Sequence, residues 1–315
     1  MLPSDTIYSF FLIAQMSTSV TANSLLFMIY IYTFLIQPQL KKPIDWIFMH
    51  LTMANILNII FHSMPEIMSS FGVKRFLDNI GCQIFLYIYR VTRGLSICTT
   101  SLLSVFQAIT ISPSHSKWAR LKFKLSTWIF PSFLFFWVIN MLIYIQVIRV
   151  MGAKLNFTMV GQGYVNAYCQ SKKMNMRYPG PFVSSMVIRD LLFMALMIMS
   201  SLYMVGLLYR HHRRAQHIHS SSLSSQTSPE NRATHTILLL VFCFVVFYFL
   251  HNLLTLFVLY RTEKNTRLES ISGFLSTCYP TLCPFFLMKN NKMISKLLCF
   301  LSNMKMTFSW RAFSG

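Results

Sequence analysis

Arg90 and Arg93 stand out chemically, because the stretch that holds them, Gly81 to Pro113, is otherwise apolar or small and polar. Three residues apart on a helix, they share a face. A guanidinium carries only donors, so its work is to hold an acidic or strongly polar group. Charge is costly in apolar surroundings, so such a group faces a partner or a cavity. Two readings follow. The pair could floor a cavity for a small ligand, or it could be closed off by internal ion pairs. Glu66 and Asp190 are the candidate carboxylates, with Arg189 competing for Asp190. For Arg90 both readings stand; for Arg93 the ion pair is favoured. Arg189, Tyr248 and His251 join the ligand candidates with Glu66, and Phe182, Met186 and Asn252 stand behind them.

Catalytic chemistry has no comparable constellation. The histidines and the glutamate between Trp46 and Ser70 form no HExxH, and no Ser–Lys pair falls in register, so no enzyme is expected. His211, His212, His217 and His219 match no structural zinc spacing and have no cysteine beside them. No metal or cofactor is expected there.

The elements that must position these residues are long apolar segments. Of 315 residues, 54% are hydrophobic and 11% are charged, against about 25% charged in a soluble domain. Mean hydropathy is +0.51. A bilayer crossing takes ~20 helical residues at ~1.5 Å of rise each. Seven segments meet that length: 7–36, 46–70, 81–111, 125–148, 183–209, 235–260 and 270–288. They predict an all-α fold, a seven-transmembrane helix bundle of the G-protein-coupled receptor type, forming a single domain over 1–315. A long loop (149–182), a shorter one (210–234) and a basic tail (289–315) are expected outside the spans. The net charge of +20 lies in short runs between apolar blocks, which fits membrane lipid as a partner and not nucleic acid. The first basic residue is Lys41, so no cleavable leader is expected.

Sidedness comes from three signals. Lys and Arg are modestly more frequent in the loops expected to be cytoplasmic. Asn156-Phe157-Thr158 is an N-glycosylation acceptor, used only on the outer side. Cys82 and Cys169 fall on that same side, where a disulfide between them would pin the long loop over the third span. The N-terminus is therefore expected outside and the C-terminus inside. Cys299, in the basic tail, is a candidate for palmitoylation. At the inner end, Gln107 near the close of span three and Pro284 in span seven mark a candidate G-protein and switch region, since a twice-broken helix can swing.

The chain resembles the vomeronasal type-1 receptors over almost its whole length. The blocks that carry this are RGLSICTTSLLSVFQAITISP from Arg93 to Pro113, KPIDWIFMHLTMAN from Lys42 to Asn55, FLDNIGC ending at Cys82, the sequon at Asn156, and CYPTLCPFFL from Cys278 to Leu287. The resemblance implies a G-protein-coupled pheromone receptor in the plasma membrane of vomeronasal sensory neurons. It implies small organic ligands and coupling to an inhibitory-class heterotrimeric G protein. Ordinary rhodopsin-like receptors differ at three places. Gln107-Ala108-Ile109 stand where those carry an acidic-Arg-aromatic triad. Asn55 stands for their helix-two Asp, and only Pro284 represents their Asn-Pro-x-x-Tyr. Their ionic lock and sodium site therefore do not carry over. Arg93 lies in a block that the family shares and Arg90 lies near one, so both are weak explanations of ligand choice. A bitter-taste-type receptor is the alternative, with a transporter further behind, because no internal repeat is visible.

Overall fold

The computed structural model of the chain describes residues 3–71, 73, 77–113, 119–153, 169–171, 180–218, 229–260 and 266–290. Seven helices follow in order: α1 Pro3–Ile36, α2 Pro43–Ser70, α3 Asn79–Thr110, α4 Ala119–Val150, α5 Gly180–Ile218, α6 Pro229–Tyr260 and α7 Thr266–Asn290. A single 3-10 turn, Pro38–Leu40, joins α1 to α2. Two three-residue strands, β1 Met151–Ala153 and β2 Cys169–Ser171, pair antiparallel between α4 and α5. The all-α seven-helix expectation holds. The hairpin is an addition that the sequence did not announce. Helices α5 and α6 also run past the apolar segments, to Ile218 and from Pro229. A helix satisfies its own backbone, so polar residues extend it beyond the point where hydropathy falls. Proline suits the first position of α6, where its missing N–H would have no intrahelical partner.

Among the described residues, six helices are long and apolar enough to cross a membrane. The exception is α3, and its surroundings explain why. It packs against α2, α4, α5 and α6, so its polar residues face protein. Ser96, Thr99, Thr100, Ser101 and Ser104 are all buried. Several return their hydroxyls to the helix: Thr99 donates to the Leu95 carbonyl at 2.7 Å and Thr100 to that of Ser96 at 2.7 Å. The outward faces of the other helices are apolar. Leu134 is 69% exposed, and Leu191, Leu202 and Phe242 are each 65% exposed. An apolar outside around a polar inside is what a lipid solvent selects.

Two local devices fix the helices that matter for the site. Asp78 caps α3 by accepting from the Gly81 N–H at 2.7 Å. One turn on, a disulfide joins Cys82 to Cys169 of β2, with both residues fully buried. In α7, Pro284 has no N–H to offer the carbonyl of Pro280 four residues earlier. That orphaned oxygen accepts from the Asn23 amide of α1 at 3.0 Å and from the Ser19 hydroxyl at 3.4 Å. The proline break is thereby tied to α1. Asn156, Cys299 and the tail from residue 291 lie outside the described residues.

Candidate functional site

Helices α2 and α3 run antiparallel in a regular register. Ser96 donates to the Asn55 side-chain oxygen at 3.0 Å, and His62 stacks on Tyr89 with ring centroids 4.6 Å apart. Between these two levels, the register sets Asn58 of α2 beside Arg93 of α3. Helices α6 and α7 close the other side and leave a cavity of about 30 Å³. From α3 it is lined by Arg93, Ser96 and Ile97, and from α2 by Asn58. Phe244, Phe247, Tyr248 and His251 of α6 complete the wall with Leu275, Ser276, Tyr279 and Pro280 of α7. Arg93 lies eleven residues along α3 from the disulfide, ~16 Å at the helical rise.

The partners of Arg93 are neutral. Its Nη1 donates to the Tyr89 hydroxyl at 3.2 Å and to His251 Nε2 at 2.8 Å. A guanidinium N–H can only donate, so His251 Nε2 is an acceptor. The imidazole proton therefore sits on Nδ1, which faces the Ser272 carbonyl at 3.0 Å. The ring of Tyr248 lies 5.3 Å from the Arg93 guanidinium, a cation–π contact. Neither carboxylate considered for Arg93 pairs with it, so the favoured ion-pair reading has no support in the geometry.

Those carboxylates are engaged elsewhere. Asp190 forms an ion pair with its neighbour Arg189 and also accepts from the Tyr248 hydroxyl. Arg189 is 4% exposed and donates further to the Asn140 side-chain oxygen at 2.6 Å and the Tyr144 hydroxyl at 2.8 Å. Gly94 makes this possible. A Cβ there would stand 2.6 Å from Arg189 Nη1 and 2.8 Å from Asn140 Cγ. Arg189 is thus the centre of a satisfied cluster joining α3, α4, α5 and α6, and it does not line the cavity. Glu66 accepts from the Tyr8 hydroxyl at 3.2 Å and lies 3.9 Å from His62 Nε2. It nests where α7 offers Gly273, whose Cβ would meet both carboxylate oxygens at 2.9 Å. Arg90 lies over the Tyr89 ring at 5.8 Å and is also outside the lining.

Of the sequence candidates, the fold brings Arg93, Tyr248 and His251 to one cavity. It sets Glu66, Arg90 and Arg189 around it. Met186 packs against the core, and the side chain of Phe182 lies outside the described residues. Sequence reasoning missed Asn58 and Ser276 as lining residues. The signal for Asn58 was present, since it shares the polar face of α2 with His62, but nothing in one sequence says what opposes that face. At the other end of α3, the Gln107 amide donates to the Thr234 hydroxyl of α6 at 3.0 Å, a buried neutral link. Pro284 is buried beside Cys283 in α7.

Known proteins resemble the chain over most of its length. The model of the vomeronasal organ pheromone receptor family matches residues 6–300. Human vomeronasal type-1 receptor 4 is 39% identical over 247 residues, covering 78% of this chain and 82% of that protein. Mouse vomeronasal type-1 receptor 44 is 35% identical over 298 residues, 93% and 94% of the two chains. A zebrafish protein, olfactory receptor class A-like protein 1, is 31% identical over 290 residues, 90% of each. The family is one of chemosensory receptors of the G-protein-coupled type, not of enzymes. With its bundle of seven helices, its disulfide at the head of α3 and its match over nearly the whole length, the chain belongs to the vomeronasal organ pheromone receptor family.

Proposed function

We propose that this receptor binds a small organic chemosignal in the cavity between α2, α3, α6 and α7. In this reading the N-terminus is extracellular and the C-terminus cytoplasmic. The plasma membrane is that of vomeronasal sensory neurons, and an inhibitory-class heterotrimeric G protein reads the cytoplasmic end. The observation that carries the reading is Arg93, a cation in a cavity whose hydrogen-bond partners among the described residues are all neutral. A ligand with an anionic or strongly polar group would supply what the protein leaves out. Pockets for organic ligands run to ~300–1,000 Å³, an order of magnitude above the cavity here. Ligand entry must therefore part α6 and α7 from α3, and the ligand favours that parted state by binding it more tightly. The neutral Gln107–Thr234 link between α3 and α6 at the opposite end of the bundle is the contact such a movement strains.

The test is expression with an inhibitory-class G protein and application of fractionated urinary and glandular compounds, with small organic acids and sulphated steroids included. A second-messenger response whose potency Arg93→Gln lowers by about tenfold or more at unchanged surface expression is expected. Responses that survive Arg93→Gln at full potency would remove this cavity from the ligand site. Silence across the panel with confirmed surface expression would count against the receptor's proposed ligand class.

A further inference from the structure

Asn58 combines burial, a place in the cavity lining and an unpartnered side-chain atom. It is 2% exposed, lines the Arg93 cavity, and its side-chain oxygen has no hydrogen-bond partner among the described residues. A buried acceptor left without a donor is destabilising until something fills it. The register places that acceptor at the depth of Arg93. Asn55 meets Ser96 one turn toward one end, and His62 meets Tyr89 one turn toward the other. Among the described residues Arg93 donates only through Nη1, and its Nε and Nη2 donors are uncommitted there. The side of the cavity formed by α2 and α3 thus presents cationic donors from Arg93 and, beside them, the Asn58 acceptor.

A single chemical group can complete both only if it accepts from the guanidinium and donates to the amide oxygen. A bare carboxylate has no donor. A plain alcohol has the donor but leaves the guanidinium charge unbalanced in a water-poor site. We propose that the ligand is a small organic anion carrying an O–H or N–H donor next to its anionic group, as a 2-hydroxy acid does, and that Asn58 reads this donor. Phe244, Phe247 and Leu275 would take its apolar tail. The inference rests on the proposed use of this cavity as the ligand site.

Direct binding to the purified full-length receptor in detergent separates the two, with hexanoate and 2-hydroxyhexanoate as matched probes. In the wild type the hydroxy acid binds about tenfold more tightly, the scale of one buried hydrogen bond gained against one left unmade. Asn58→Leu binds both acids alike, at the affinity of hexanoate, and Arg93→Gln binds both at least about tenfold more weakly. Equal affinity for the two acids in the wild type overturns the inference without any variant. A preference that persists in Asn58→Leu, or in Asn58→Ala should the leucine variant not fold, also overturns it. Arg93-dependent binding of hexanoate with no hydroxyl preference sinks the role of Asn58 and leaves the cavity reading standing. Binding of neither acid to the wild type sinks both.

Discussion

Two arginines lie close together in this bundle, Arg189 buried and Arg93 half-buried, and the protein treats them in opposite ways. Arg189 is saturated: a carboxylate, an amide oxygen and a phenol surround it, and a glycine on α3 clears the space for its approach. Among the described residues Arg93 keeps neutral company, a phenol, an imidazole and an aromatic face, and it borders a cavity. A buried charge fully paired inside the protein is committed to the fold. A charge inside the bundle paired only with dipoles is held in place but not neutralised, and the proposed anionic ligand would use it.

The sharpest test of that contrast is stability. Arg189→Met strands Asp190 as an uncompensated carboxylate in the bundle, and loss of one partner of a buried pair costs about 3–5 kcal/mol. Thermal melting in detergent and surface expression should both collapse. Arg93→Met strands no carboxylate, so its effect on melting should stay within about 1 kcal/mol in either direction. Equal losses in the two variants would erase the distinction.

Ligand response gives the second contrast. Hydrogen bonds to a charged group are worth about 1.5–3 kcal/mol, which is roughly 10- to 100-fold in affinity. Arg93→Gln should therefore shift an active acidic compound's dose–response curve by about that factor or more while leaving surface expression intact. Arg90→Gln, at a position outside the lining, should shift it far less. The reverse order would move the ligand site up to the Arg90 level.

How much of this could be read from one sequence follows from the same pair. The segments, the all-helical bundle and the pairing of Cys82 with Cys169 were legible, because hydropathy and the position of two cysteines at span ends and loops are properties of the chain itself. The fates of Arg90 and Arg93 were not. Both share a face of α3, yet only one borders the cavity, and that depends on about one turn of depth relative to α6 and α7. The pairing of Asp190 with Arg189 was posed but not decided, because adjacent residues on a helix do not ordinarily face each other. The contact forms because Gly94 admits Arg189 against α3, where Asn140 and Tyr144 hold it. Two three-residue strands carry too little periodicity to be seen. Asn58 was visible as a polar residue, but an unsatisfied atom exists only once its neighbours are known.

A third test moves to the far end of α3. The Gln107–Thr234 hydrogen bond is a buried neutral link between α3 and α6. Gln107→Leu removes it, and a net contribution of about 1 kcal/mol is roughly a fivefold change in the ratio of two helix arrangements. Ligand-free signalling should rise by about that factor. An unchanged basal level would mean that the contact does not differ between resting and signalling states. Thr234→Val should reproduce the effect if the hydroxyl is what matters.

The smallest expected effect concerns Tyr248, a residue that touches both arginine environments. Its hydroxyl donates to Asp190 in the Arg189 cluster, while its ring lies 5.3 Å from the Arg93 guanidinium. Tyr248→Phe removes the hydroxyl and keeps the ring. Asp190 retains its ion pair with Arg189, so the loss of stability should be about 1 kcal/mol, the net worth of one hydrogen bond. If the two environments are energetically separate, the potency of an acidic ligand should change by less than about threefold, because the cation–π contact survives. Tyr248→Leu removes the ring as well and should lower potency further. A tenfold loss already in Tyr248→Phe would mean that the carboxylate of Asp190 reaches Arg93 through the phenol. The two arginines would then be one network tuned by a single hydroxyl, and the division between a committed and an uncommitted charge would give way to a graded one.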